Sequence, residues 1–202
     1  MPVTSTEELR EHYPPVVERA RLKTLYRLDV HCRQFISLSP FLCLGTSQAD
    51  GADVTPRGDA PGFVHVLDDS TIAIPDWPGN NRLDSLSNIA VNPNVGILFL
   101  VPGVDETLRL NGTAVISLDP ELRAGWDVNG KHPRSVVVVT VKEAYFHCGK
   151  ALIRSKLWQD DYKIERSALP PYGTILKDQI SVQESAEEIQ KSINEGYECR
   201  LY

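Results

Sequence analysis

Between residues 41 and 146, short runs of strand-forming residues alternate with turn signals. Asp50-Gly51 is a typical hairpin turn, and Asp68-Asp69-Ser70 separates two further runs in the same way. Helices and strands alternate too irregularly for a doubly wound parallel sheet. The pattern predicts a mainly β, α+β fold, built as an antiparallel barrel with helices packed outside. The expected strands are Phe41–Ser47, Asp53–Pro56, Phe63–Leu67, Thr71–Ile74, Val95–Val101, Thr107–Ser117 and Ser135–Phe146.

Helical patterns lie mainly at the two ends of the chain. Apolar residues recur near a 3.6-residue period before residue 38, which predicts N-terminal helices over residues 5–38. Within the barrel region we expect a helix at Arg82–Ala90 and another that begins at Asp119-Pro120. Near the C-terminal end, Pro170–Gly173 is interpreted as a loop and Ser185–Asn194 as a charged helix that ends before Gly196. We therefore expect one domain over residues 1–202, with a barrel core at 38–158 and a C-terminal appendage at 160–202.

Charge and cysteine usage disfavour several protein classes. The 202 residues carry 21 Lys and Arg against 27 Asp and Glu, and this net charge of −6 argues against a dedicated nucleic-acid binder. No apolar run approaches the ~18–20 residues that a membrane-spanning helix needs. The four cysteines form no C-x-x-C pair and the five histidines are scattered, so we expect a cytoplasmic protein with reduced thiols and no metal site. The acidic N-terminal residues lack the apolar core of a secretory signal.

Candidate binding residues fall in three segments, since the standard dinucleotide, P-loop, hydrolase and zinc-protease motifs are absent. The first segment runs from Asp53 to Phe63 and contains Thr55-Pro56-Arg57-Gly58-Asp59. A stiff Pro/Gly backbone holds Arg57 at a strand end, where its guanidinium could donate two hydrogen bonds to a phosphate. The alternative is an Arg57–Asp59 ion pair on a surface turn.

The second segment runs from Ile74 to Leu86, and in it Ile74-Pro75-Asp76 leads through a Pro/Gly loop to Asn80-Asn81-Arg82. A strand is expected to end here and a helix to begin, so free backbone N–H groups and the helix dipole would favour an anion. The asparagine side chains and Arg82 add further donors. The alternative is ordinary N-capping by Asn80 or Asn81, with Arg82 in solvent.

The third segment runs from His147 to Trp158. Lys150, Arg154 and Trp158 are spaced four residues apart, so they would share one face of a helix. Two cations and an indole on one face suit a planar anionic cofactor, or a cation–π contact at a protein interface. Cys148 is interpreted as a small strand-end residue, because no base lies near it in the sequence.

Taken in order, four motifs resemble the FMN-dependent family related to pyridoxamine 5′-phosphate oxidase. They are T-P-R-G-D at 55–59, P-D-x-x-G-N-N-R-x-D-S at 75–85, R-L-N-G at 109–112 and H-C-G-K-A-L-I-R-S-K-L-W at 147–158. The resemblance covers residues 16–158 and implies a split β-barrel homodimer with two FMN sites at the subunit interface. It also implies an FMN-dependent oxidoreductase acting on an unidentified small molecule, with a nicotinamide as a candidate hydride donor.

The resemblance further assigns cofactor contacts to individual residues. The first two segments would grip the FMN phosphate, and the strand from Ile72 to Asp76 would lie along the isoalloxazine ring. The R-L-N-G motif would approach from the partner subunit, and the third segment would close the site from either subunit. The implied FMN-binding residues are Thr55, Pro56, Arg57, Ile74, Pro75, Asp76, Asn80, Asn81, Arg82, Arg109, Asn111, Lys150, Arg154 and Trp158.

The C-terminal tail departs from the family pattern. Residues Gln183–Glu188 are acidic, whereas oxidases of vitamin B6 phosphates carry a basic substrate-phosphate motif, so vitamin B6 phosphate is not the expected substrate. The alternative function is a non-enzymatic flavin or haem carrier of the same fold, with His147 or His65 as the haem ligand. A cofactor-free dimeric interaction protein is a third hypothesis. The basic cluster favours FMN over the deazaflavin F420.

Overall fold

The computed structural model describes residues 2–202 and contains one seven-stranded antiparallel sheet. The strands are β1 Phe41–Gln48, β2 Gly51–Gly58, β3 His65–Val66, β4 Thr71–Asp76, β5 Asn94–Leu100, β6 Thr107–Ser117 and β7 Ser135–His147. Their order across the sheet is β2-β1-β5-β6-β7-β4-β3, and every neighbouring pair is antiparallel. The predicted fold class, a split barrel of antiparallel strands with flanking helices, is confirmed.

In the sequence, the helices lie before, between and after the strands of the sheet. They are α1 Thr6–Glu11, α2 Glu18–Leu22, α3 Val30–Leu38, α4 Asp84–Val91, α5 Pro120–Arg123, α6 Lys150–Ser155, α7 Tyr172–Gln179 and α8 Ala186–Cys199. The predicted N-terminal helical region is thus divided into three helices. Of these only α3 buries side chains, whereas α1 and α2 contribute none to the core. None of the helices described is both long and apolar enough to cross a membrane.

The main hydrophobic core lies on one face of the sheet. In β6, Leu108 and Leu110 are fully buried while Arg109 between them is exposed, as the alternation in the sequence predicts. Helix α3 covers this face, and its Phe35 meets Phe146 of β7 edge to face with ring centroids 5.4 Å apart. Because alternate side chains of a strand are buried in this core, the side chains between them lie on the opposite face of the sheet.

Both predicted hairpins form, but β3 is shorter than expected. The sequence pattern predicts a strand over Phe63–Leu67, whereas the ladder with β4 includes only His65 and Val66. Outside the ladder, the carbonyl oxygen of Phe63 accepts a hydrogen bond from the Trp126 indole at 2.7 Å. The length of the edge strand β3 therefore follows from tertiary contacts and not from the strand propensity of residues 63–67.

The C-terminal region contains more helix than the sequence predicts. Helix α7 begins at Tyr172, inside the expected loop, and α8 continues through Gly196 to Cys199. Gly173 is buried because α7 and α8 pack closely there: an added Cβ would lie 2.7 Å from the backbone nitrogen of Gln190. Glycine thus permits a close helix–helix contact here, although glycine normally weakens a helix.

Candidate functional site

A cavity of about 730 Å³ opens where β2 approaches β4. These strands are not hydrogen-bonded to each other, because β2 is one edge of the sheet and β4 lies next to the other edge. We call this gap the seam. The predicted site residues that line the cavity are Thr55, Pro56, Arg57, Asp76, Asn80, Asn81 and Arg82. The structure therefore brings the first two candidate segments together.

Arg57 bridges the seam. One terminal nitrogen of its guanidinium donates to the carboxylate of Asp76, and the other donates to Ser85 Oγ at 3.0 Å. The Arg57 and Asp76 side chains are only 18% and 14% exposed, so their ion pair is poorly accessible to water. The expected alternative, an Arg57–Asp59 pair, does not form, because Asp59 instead accepts hydrogen bonds from Trp77 and Tyr202.

The loop between β4 and α4 presents the asparagine and arginine donors. Asn80 Oδ1 accepts from the backbone N–H of Arg82 at 3.0 Å, and Arg82 Nε donates to Asp84 Oδ2 at 2.8 Å. The prediction that the helix begins at Arg82 is wrong, and the alternative of an asparagine N-cap does not form. Helix α4 begins at Asp84, and its N-cap is Leu83, which has a left-handed backbone with φ of 60°.

The start of α4 has the properties of an anion site. Its N-cap provides no side-chain hydrogen bond, so the first backbone N–H groups of the helix have no capping partner. Residues 84–87 all line the cavity. The positive end of the helix dipole therefore lies at the cavity wall, although Asp84 in the first turn offsets part of it.

Arg134 is a cavity residue that the sequence analysis missed. Its guanidinium donates to Asn81 Oδ1 at 3.3 Å, and its backbone N–H donates to the carbonyl of Asp76 at 2.9 Å. The register of β7 against β4 places Ser135 opposite Asp76 and so brings Arg134 to the cavity. With three arginines and two aspartates, the lining carries a formal charge of +1.

Thr55 carries a hydroxyl group that can bond to a ligand. Its Oγ1 is buried and has no hydrogen-bonding partner among residues 2–202, yet Thr55 lines the cavity. A buried hydroxyl without a partner costs free energy, and a polar ligand group would satisfy it. The lining therefore combines cations, free helix amides and an unpaired hydroxyl, which fits a phosphate-bearing cofactor.

Ile74 and Pro75 do not face the cavity. Both are buried within β4, and Ile74 has no exposed surface. The neighbouring Ala73 is also buried, because Trp126 and Val136 pack against it in a second, smaller core cluster. Of the strand stretch expected along a cofactor ring, only Asp76 reaches the cavity wall in this chain.

Arg109 and Asn111 lie on a different part of the sheet. The Arg109 guanidinium is 5.2 Å from the ring centroid of Tyr145, and Asn111 Nδ2 donates to Glu143 Oε1 at 2.6 Å. Asn111 also lines a separate hollow of about 410 Å³ next to Gly96. Within one chain, the R-L-N-G motif is therefore not part of the cavity.

The third segment is also outside the cavity of its own chain. Lys150 and Arg154 are exposed on α6, but Trp158 does not share their helix face, so that prediction is wrong. The helix ends because Lys156 adopts a left-handed conformation with φ of 48°. The Trp158 indole instead donates to the carbonyl of Val104 at 2.9 Å.

Among the groups outside the cavity lining whose pKa values are shifted are Tyr202, His65 and Cys32. The hydrogen bond to the Asp59 carboxylate raises the pKa of Tyr202. Burial lowers the pKa of His65, whose ring stacks on Trp126 with centroids 4.0 Å apart. Burial also raises the pKa of Cys32 to about 12, so this thiol is unreactive near neutral pH. Within residues 2–202, no three His, Cys, Asp or Glu side chains are grouped so that they could hold a metal ion.

Comparisons with solved structures give several distant matches. HupZ of Group A Streptococcus is 17% identical over 58% of this chain and 92% of its own, with a TM-score of 0.46. General Stress Protein 26 of Bacillus anthracis str. Sterne is 16% identical over 58% of this chain and 94% of its own, with a TM-score of 0.42. An FMN-binding protein from Syntrophomonas wolfei subsp. wolfei is 12% identical over 56% of this chain and 82% of its own, with a TM-score of 0.43.

No curated protein matches the sequence. The family model described as pyridoxamine 5′-phosphate oxidase, in contrast, matches residues 28–148. This range is more than half of the chain and includes all seven strands and every residue that lines the cavity. The chain therefore belongs to the pyridoxamine 5′-phosphate oxidase family.

Proposed function

We propose that this chain binds FMN in the cavity and acts as an FMN-dependent oxidoreductase on a small organic molecule. The observation that carries the proposal is the meeting of Arg57, Arg82 and Arg134 with the uncapped start of α4 around one cavity. FMN has a phosphate dianion at one end and a flat, partly apolar ring at the other. Its binding site must therefore supply concentrated positive charge together with an apolar wall.

The phosphate would lie at the start of α4. Arg57 is already fixed by Asp76 and Ser85, so little side-chain entropy is lost when it donates to a ligand. The Arg82 side chain is 75% exposed and can turn toward an anion at the cavity. Charge-assisted hydrogen bonds of this kind contribute about 1.5–3 kcal/mol each.

The ring would lie against the apolar part of the lining. This surface is provided by Ile116 near the end of β6, Leu118 just after β6 and Leu86 of α4. Thr55 offers its unpaired hydroxyl to a polar ring edge or to the ribityl chain. Bound FMN would supply hydride or single-electron transfer, while the chain orients the cofactor and limits access of water.

We also propose that the site is completed by a second copy of this chain. Arg109, Lys150 and Arg154 lie outside the cavity of their own chain, which is consistent with a role in a partner's site. The outer face of the sheet suits such a contact, because Gly45 pairs with Gly96 and leaves a shallow furrow between strands. Beside this furrow the apolar side chain of Val54 is 67% exposed.

FMN titration of the Arg82→Ala variant tests the cofactor proposal. Loss of one charge-assisted bond should weaken FMN binding by about 10- to 100-fold, measured by quenching of flavin fluorescence. Arg21→Ala is the matched control, because it removes the same charge from α2, which has no buried residue. Equal FMN affinity in the two variants would show that Arg82 is not part of the site. A haem absorbance spectrum of the purified protein would instead favour the alternative of a non-enzymatic haem carrier.

Redox function and assembly need separate measurements. Anaerobic addition of NADH or NADPH to the FMN-loaded protein should bleach the flavin absorbance if either nicotinamide is the hydride donor.

Dilution should lower FMN occupancy together with the dimer fraction, because a shared site couples the two equilibria. A monomer that retains its full complement of FMN would contradict the shared site.

A further inference from the structure

Tyr202 contacts the cavity wall although it lies far from it in sequence. Its hydroxyl donates to Asp59 Oδ1 at 2.7 Å, and the other carboxylate oxygen of Asp59 accepts from Trp77 Nε1 at 3.1 Å. The rings of Tyr202 and Trp77 meet edge to face with centroids 5.0 Å apart. One carboxylate thus joins a tyrosine beyond α8 to a tryptophan that lines the cavity.

The backbone around Tyr202 is held as well. Lys131 Nζ donates to the carbonyl oxygen of Tyr202 at 2.9 Å. Lys131 lies in the loop that leads to Arg134 and β7, and Asp59 directly follows β2. Tyr202 therefore connects three segments that meet at the seam: the end of β2, the loop after β4 and the loop before β7.

Apart from the packing of Trp77 against the core cluster of Ala73, Trp126 and Val136, the loop of residues 77–83 has few contacts. It has no regular secondary structure, and Asn81 and Leu83 both have left-handed backbones. Within residues 2–202, two hydrogen bonds from side chains tie this loop to distant segments: Trp77 to Asp59 and Arg134 to Asn81. The first belongs to the contact with Tyr202, and the second is long, at 3.3 Å. The position of the loop should therefore respond to Tyr202.

We propose that Tyr202 is a positioning residue for the cavity, acting through Asp59 and Trp77. When docked, it holds the loop of residues 77–83 in place, and with it the donors Asn80, Asn81 and Arg82. Docking of Tyr202 and binding of an anionic ligand then stabilise each other, because coupling between two sites is reciprocal. This inference deepens the proposed function, and its first measurement requires no ligand.

Hydrogen exchange of the loop in the ligand-free protein is the first test. Tyr202→Leu removes the ring contact and the hydrogen bond, whereas Tyr202→Phe removes only the hydrogen bond. The backbone N–H of Arg82 is hydrogen-bonded within the loop, to Asn80 Oδ1 at 3.0 Å, so its exchange reports on loop order. Loss of a bond to a charged acceptor should raise the exchange rate of this N–H by about tenfold in the leucine variant and less in the phenylalanine variant. Tyr197→Leu is the matched control, since Tyr197 is 61% exposed on α8.

FMN affinity is the second test. Tyr202→Leu should weaken FMN binding by about threefold to tenfold, with an unchanged urea midpoint that excludes a general loss of stability. Unchanged exchange in the leucine variant overturns the inference, and so does faster exchange with wild-type FMN affinity. If the wild-type protein binds no FMN, the proposed function fails, and the exchange data alone decide whether Tyr202 positions the loop.

Discussion

Replacing Asp76 with asparagine is expected to weaken folding and strengthen anion binding at the same time. Asp76 pairs with Arg57 across the seam, and both side chains are largely buried. Removing one partner of a fully buried ion pair costs about 3–5 kcal/mol, because the other charge is left unpaired. Ser85 still accepts from Arg57, and the Arg57 side chain keeps 18% of its surface exposed, so we expect the free energy of unfolding to fall by about 1–3 kcal/mol.

The effect on anion binding follows from the size and charge of the cavity. Asp76→Asn raises the formal charge of the lining from +1 to +2, and a sphere of 730 Å³ has a radius of about 6 Å. Two unit charges ~6 Å apart interact by ~3 kcal/mol at an effective dielectric constant of ~20. Salt at ~0.15 M screens this to ~1 kcal/mol. The dissociation constant for FMN should therefore fall about fivefold.

Urea unfolding and FMN titration measure the two effects separately. Asp84→Asn is the control, because it makes the same change in lining charge but breaks an exposed ion pair with Arg82, which contributes at most about 1 kcal/mol. Both variants should bind FMN more tightly, and only Asp76→Asn should unfold more easily. Weaker FMN binding in Asp76→Asn, or an unchanged free energy of unfolding, would refute the reasoning.

Three other parts of the molecule give testable expectations. Gly112→Ala should lower the free energy of urea unfolding by at least ~2 kcal/mol, because the added methyl group would overlap a carbonyl oxygen of β7; wild-type stability would contradict the close approach. Because burial lowers the pKa of His65 below 6.5, its stabilising contribution is present above pH 6.5 and is lost as the pH falls through the folded-state pKa. His65→Gln should therefore lose less stability in acid than the wild type, and parallel acid profiles would count against this. A thiol reagent should modify the exposed Cys148 and Cys199 rapidly but Cys32 only after unfolding, since burial raises the pKa of Cys32 to about 12; rapid modification of Cys32 in the native protein would argue otherwise.

The sheet could be predicted from sequence because local signals determine most of it. Hairpin turns, alternation of apolar residues and strand-forming runs are properties of neighbouring residues, and β6 at Thr107–Ser117 agrees with the expected strand. The end of α6 could not be predicted in this way. Nothing in the local pattern shows that Lys156 adopts a left-handed backbone, and this conformation directs Trp158 away from Lys150 and Arg154.

The cavity was predicted only in part, for a similar reason. Arg57 and Arg82 each lie in a segment with a local anion-binding pattern, so the sequence alone identifies them. Arg134 has no such pattern, and it reaches the cavity through the register between β4 and β7. Register depends on pairing between distant parts of the chain, so single-sequence patterns do not determine it. The contact between Tyr202 and Asp59 could not be predicted from local patterns either, because the two residues are 143 positions apart in the sequence.

At the Arg57–Asp76 bridge, side chains rather than backbone hydrogen bonds set the width of the seam between β2 and β4. Paired strands are held ~4.8 Å apart by their backbone ladder, whatever their side chains. Across the seam the spacing depends instead on the lengths of the two side chains, so a longer or shorter pair of residues would change it. Exchange of a few side chains at this opening could therefore admit thicker or thinner ligands, while the backbone ladder of all seven strands stays intact.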